Sequence, residues 1–88
     1  MEINIQVTHR NNQLKSLRLA AGLSQSQLAK ATGLNVRTLQ HYEQGSKDLN
    51  AAKLATLLKI CNALGCRLED ILNDPATLDE LDKYEETK

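Results

Sequence analysis

The sequence predicts an all-α fold, a compact bundle of five short helices, and three observations carry that prediction. Every glycine of the chain (Gly22, Gly33, Gly45 and Gly65) follows a short stretch of helical periodicity, where a helix should stop. Each stretch between these stops carries apolar residues on one side only. The core has neither Phe nor Trp to draw on, so it is built from Leu, Ile, Val and Ala, which suits closely packed short helices. At 88 residues the chain makes a single domain with short arms, and so small a domain leaves little apolar surface to spare.

The first helix is read over residues 13–21, with Leu14, Leu17 and Ala21 on one face. The second runs over residues 25–32. Ser24 and Gln27 open it as a capping box, and Leu28 and Ala29 face inward. Asn35 caps the third, residues 36–44, which buries Leu39 and places Val36 beside it. Asn50 is read as the cap of a fourth helix, residues 51–64, with Leu54, Leu57, Leu58, Cys61 and Leu64 as its apolar stripe. A fifth, residues 68–72, adds Leu68, Ile71 and Leu72, and Pro75 blocks its continuation.

Two arms flank this body. The N-terminal arm, residues 1–11, alternates Ile3, Ile5 and Val7 with Asn4 and Gln6, a strand pattern. A single strand does not persist alone, so the arm either stays without structure or pairs with another chain as a dimerisation strand. The C-terminal tail, residues 74–88, holds a second capping-box pattern, Thr77 with Glu80, and Leu78 with Leu81 on one face. It reads equally as a sixth, marginal helix or as a frayed end.

Net charge is zero, but the average conceals a segregation. Residues 12–72 carry eight bases against four acids, a net of +4, whereas residues 73–88 carry six acids against two bases, a net of −4. A basic body suits a phosphate-bearing partner, and the acidic tail keeps away from it. No apolar run approaches the ~20 residues needed to span a bilayer, and no secretory signal is evident, so a cytoplasmic protein is expected. The spacing of Cys61 and Cys66 is neither that of a redox pair nor that of a zinc site, and both are expected as reduced structural thiols. With His9 and His41 as the only histidines, no metal or other cofactor suggests itself. Neither a nucleophile–base set nor a phosphate-cradling loop appears, so an enzyme is not expected, nor is a small-molecule substrate.

Function concentrates in QSQLAKATGLNVRTLQHYEQG, residues 25–45. Ala29 sits where the second helix must approach the third closely, and Gly33 supplies the turn. Leu34 and Leu39 fix the crossing angle. A short helix, a glycine turn and a second helix present the latter as a protruding rod, and the DNA major groove admits such a rod. The stretch from Leu14 to Leu72 resembles the Cro/phage-repressor (XRE-type) helix-turn-helix family, on LKSLRLAAGLSQSQLAKATGLNVRTLQHYEQG and the ending CNALGCRLEDIL. Thr32 departs from the aliphatic residue frequent at its position.

The resemblance implies a lambda repressor-like domain over residues 12–73 that binds double-stranded DNA sequence-specifically. It places Val36, Arg37, Gln40, His41 and Gln44 against bases, and Gln25, Asn35, Thr38 and Lys47 against the DNA backbone. Arg37 suits guanine, Gln40 suits adenine and Val36 suits a thymine methyl. Arg18 and Glu43 match an ion pair that ties the first helix to the end of the third. Tyr42 is expected to pack, with its hydroxyl toward DNA or solvent. The expected function is a transcriptional repressor bound to an inverted repeat as a homodimer. The alternative is an antitoxin that holds a toxin through its arms and represses its own promoter.

Overall fold

The computed structural model describes residues 11–86, and the alternating segment of the N-terminal arm lies outside them. The described residues form α1 (Asn12–Ala20), α2 (Gln25–Thr32), α3 (Val36–Gln44), a 3-10 turn (Leu49–Ala51), α4 (Leu54–Leu64), α5 (Leu68–Ile71) and α6 (Pro75–Glu86). No strand occurs among them. The fold is all-α, with a sixth helix added to the five expected.

Local chemistry sets most of these limits. Asn11 caps α1 by accepting from the Leu14 amide at 3.0 Å, and its side-chain amide donates to the Ile71 carbonyl at 2.6 Å. One buried carboxamide thus starts the first helix and clamps it to α5. Ser24 and Gln27 form the reciprocal capping box that opens α2, at 3.1 and 2.8 Å. The Asn35 side chain accepts from the Arg37 amide at 2.8 Å and opens α3. Between α2 and α3, Gly33 holds φ at +72°, left-handed backbone that costs a side-chain-bearing residue ~1–2 kcal/mol.

The core has a simple composition. Leu14, Leu28, Leu39, Leu49, Ile60 and Ile71 are each fully buried, one from every element except α6. Leu17, Leu34, Val36 and Leu78 pack around them half-buried.

Four readings of the sequence need correction. Ala21 is exposed, and the inner face of α1 is completed by Arg18 instead. Asn50 caps no helix: it lies in the 3-10 turn, and α4 begins at Leu54 after Lys53. The Asn50 carboxamide is engaged at long range, accepting from the Asn73 and Asp74 amides at 2.9 and 3.1 Å and donating to Asn73 Oδ1 at 2.6 Å. The buried stripe of α4 is Leu57, Ile60 and Cys61, while Leu54 is 60% and Leu58 43% exposed. Finally, α6 is capped by Asp74 rather than by Thr77 with Glu80. Its carboxylate accepts from the Thr77 amide at 3.1 Å and from the Thr77 hydroxyl at 2.6 Å. α5 ends earlier, where Leu72 turns extended, and Pro75 is the first residue of α6, a position that the fixed φ of proline suits. Arg67 reaches across to Glu85 at 3.2 Å and pins the far end of α6 to the start of α5.

The Thr77 hydroxyl and then its amide hold the Asp74 carboxyl below its ordinary value. Its capping is therefore complete above the unfolded-state value and is lost as pH falls through the lower folded-state one. Acidification below about pH 4 should reduce the helical circular-dichroism signal of the folded protein. Asp74→Ala should start from the lower signal and lose that part of the pH response; an unchanged response in the variant would assign it to other carboxylates.

Candidate nucleic-acid interface

α3 is held from behind. Its inner face buries Leu39, Tyr42 and Glu43. On the other side Arg37 and Gln44 are exposed, with Gln40, His41, Val36 and Thr38 half-buried around them. Residues 37, 41 and 44 recur at helical spacing, so the polar face is continuous over two turns. Asn35 and Lys47, both exposed, bracket the helix. The Lys47 amide donates to the His41 carbonyl at 3.2 Å, which folds the chain back over the end of α3.

The approach of α2 to α3 depends on two small residues. Ala29 is 7% exposed at the crossing. Thr32, 6% exposed, turns its hydroxyl back onto the Leu28 and Ala29 carbonyls at 2.8 and 3.2 Å and accepts from the Leu34 amide at 3.3 Å. An aliphatic side chain here would fill the same space but leave the Leu34 amide without that partner. The departure at Thr32 is therefore a stitch across the turn.

Arg18 and Glu43 form a two-pronged ion pair. Nε donates to Oε2 at 2.7 Å and Nη2 to Oε1 at 3.0 Å. The third arm of the guanidinium, Nη1, donates to the Leu23 carbonyl at 2.8 Å, and Gln25 Nε2 donates to Glu43 Oε1 at 3.2 Å. α1, the α1–α2 turn, the start of α2 and the end of α3 thus converge on one charge pair. Both side chains are nearly buried, at 8% and 4% exposure. The Glu43 hydrogen bond raises the already high Arg18 pKa against the opposing effect of burial. No buried side-chain nitrogen or oxygen among the described residues lacks a partner.

Above this pair lies a cleft of about 410 Å3, lined by Lys15, Arg18, Ser24, Gln25, Glu43 and Gln44. It brings Gln25 and Gln44 together at the N-terminus of α2, where exposed amides and the helix dipole favour an anion. Lys15 is the residue that sequence reasoning passed over. It lies three residues before Arg18, hence on the same side of α1, and that spacing was the available signal. Ser46 was missed as well: its Oγ lies 2.6 Å from His41 Nδ1, so one ring nitrogen of His41 is engaged within the protein. No sequence spacing announces that contact, because it depends on the tight turn after Gly45.

The model of the helix-turn-helix family matches residues 14–71. The chain is a Cro/phage-repressor (XRE-type) helix-turn-helix protein. No curated protein matches the chain significantly. Among solved structures it is similar to the restriction-modification controller protein C.AhdI from Aeromonas hydrophila, at 31% identity and a TM-score of 0.62 over 69% of this chain and 88% of that one. It is also similar to the clp gene regulator ClgR from C. glutamicum, at 26% identity and a TM-score of 0.61 over 75% and 86% of the two chains. The helix-turn-helix is α2 with α3, and the family is one of DNA-binding transcription regulators. No helix among the described residues is long and apolar enough to cross a membrane, and no cluster of metal-ligating side chains occurs among them.

Glu43→Ala leaves the Arg18 guanidinium buried without its counter-ion, and loss of one partner of such a pair costs ~3–5 kcal/mol. The urea midpoint should fall accordingly, and Gln25→Ala, which removes one neutral donor, should cost roughly 1 kcal/mol. Equal losses in the two variants would mean that the charge pair does not dominate this junction.

Proposed function

We propose that the protein is a sequence-specific transcriptional repressor that binds an inverted-repeat DNA operator as a homodimer. The observation that carries this reading is the polar outer face of α3, which is backed by a rigid, fully satisfied charge network. A recognition helix must keep its docking angle while its outer side chains meet base edges. Val36, Arg37, Gln40, His41 and Gln44 are the base-reading set. Arg37 is suited to guanine O6 and N7, Gln40 to adenine, and Val36 to a thymine methyl.

Gln25, Asn35, Thr38 and Lys47 form the backbone-contacting set, with two refinements. The Gln25 side chain is committed to Glu43, so its contribution to phosphate binding comes from its backbone amide at the first position of α2. Lys15 joins the set from the other side of the cleft. His41 meets a base through Nε2, because Nδ1 is occupied by Ser46.

A second copy is required because one such module buries too little surface for high specificity. Exposed Leu54 and Leu58 on α4 supply apolar area for it, and the N-terminal arm is a further candidate. Two half-sites then lie about one helical turn apart, roughly 34 Å. The likeness to a restriction-modification controller protein and to a clp gene regulator supports a role in controlling transcription.

α6 favours a second reading. It is an ordered helix with five acids, one base and an exposed Tyr84, a surface suited to a basic protein partner. Such a partner would make the protein an antitoxin that also represses its own promoter. Co-purification of a neighbour-encoded protein, lost on deletion of residues 74–88, would favour this reading.

Duplexes selected from a random pool provide the assay. Arg37→Ala should weaken the selected duplex by ~1–3 kcal/mol and relax preference at one base pair, whereas Lys47→Ala should weaken selected and random duplexes alike. Equal loss on both duplexes for Arg37→Ala would sink its base-reading role. Affinity should also fall steeply between low and physiological salt, as counterions released from phosphate dictate. A flat salt response would exclude DNA as the partner.

A further inference from the structure

Cys61 and Cys66 are five residues apart, which on an uninterrupted helix would turn their side chains to different sides. The end of α4 changes that relation. Gly65 takes φ +66° and reverses the chain, and the amides of Gly65 and Cys66 both donate to the Cys61 carbonyl, that of Cys66 at 3.1 Å. In a helix ending of this type the accepting residue and the residue after the left-handed glycine meet side chain to side chain, ordinarily as an apolar contact. Here both are free thiols, and each lies near enough to shift the ionisation of the other. Cys61 is 5% exposed, while Cys66 is half-buried and reachable from solvent.

We propose that Cys61 and Cys66 are a dithiol site that a peroxide closes into an intrachain disulfide, with Cys66 meeting the oxidant and Cys61 resolving the intermediate. The Cys66 thiolate attacks one peroxide oxygen, the O–O bond breaks, and the departing hydroxide takes up a proton to leave as water. Cys66 is then a sulfenic acid. The Cys61 sulfur attacks the Cys66 sulfur, the S–O bond breaks, and a second water leaves with the Cys61 proton. Two thiols lose two hydrogens, and one peroxide becomes two waters. The bridge staples the last turn of α4 to a residue two positions before the start of α5.

Electrostatics sets the pace and divides the roles. Burial, then the neighbouring Cys66 thiol and the acids Asp70 and Glu69, push the Cys61 thiol up to about 12. Burial also raises Cys66, but the Cys61 side chain works in the opposite direction and makes Cys66 the sulfur better able to ionise. Both are thiols at neutral pH, so closure is slow there and accelerates with alkalinity as the Cys66 thiolate grows.

The test treats the full chain with hydrogen peroxide at pH 7 and pH 9, blocks remaining thiols with a maleimide, and reads intact mass and cysteine-containing peptides. The expected product is a monomer two hydrogens lighter that takes up no maleimide, forming about tenfold faster per pH unit below the Cys66 pKa. Cys61→Ala should instead accumulate sulfenic or more highly oxidised Cys66, and Cys66→Ser should leave Cys61 reduced. Chains linked to one another would overturn the proposal. So would a wild-type product with Cys66 over-oxidised beside a free Cys61, or no reaction at either pH. The decisive measurement is made on the native sequence, so it stands whether or not a variant folds.

Discussion

Burying a guanidinium and a carboxylate in a domain with so little interior is costly, and the cost is offset only where every donor and acceptor finds a partner. Arg18 and Glu43 meet that condition through each other, Leu23 and Gln25. The arrangement gives little net stability by itself. Its value is geometric, because a two-pronged guanidinium–carboxylate contact has one favourable orientation where an apolar contact of the same size has many. α3 carries its outward side chains on the same rigid rod as Glu43. The direction in which Arg37 faces is therefore fixed by a bond made on another side of the helix.

The remainder of the site follows from that anchoring. Gln25 is drawn to Glu43, so the opening of α2 is set relative to the end of α3. Lys15 comes to the same cleft because it shares a side of α1 with Arg18. Thr32 and Gly33 then have to join two helices whose relation is already settled from their far ends. Thr32 supplies hydrogen bonds across the turn and Gly33 the positive φ.

What could be read from the sequence divides along the range of the interactions. α2 and α3 are legible to the residue because Ser24 with Gln27, Gly33, Asn35 and Gly45 signal within a turn of where they act. The chain between α3 and α4 is not legible in this way, because Asn50, a good local cap, is used by Asn73 and Asp74 more than twenty residues away. In α4 two overlapping stripes fit the periodicity, and only the position of the neighbouring helices selects the one containing Ile60. Asp74–Pro75 reads as a stop, yet the same pair begins α6. In the candidate interface the outer face of α3 follows from helical spacing alone. The Gln25–Glu43 and His41–Ser46 contacts do not, since each depends on where a turn delivers its second partner.

The distribution of the core has a consequence for how the molecule comes apart. Six elements each give one fully sealed aliphatic side chain to a shared centre, and no two of them enclose a centre of their own. Withdrawing any one element opens the cavity for the other five, so partial unfolding gains chain entropy while forfeiting most of the burial that held the rest. The body has no stable fragment to fall back on, and its loss of structure is a single cooperative event. An α2–α3 segment cut out as a peptide would keep its capping residues and its turn, but it would have nothing to pack against.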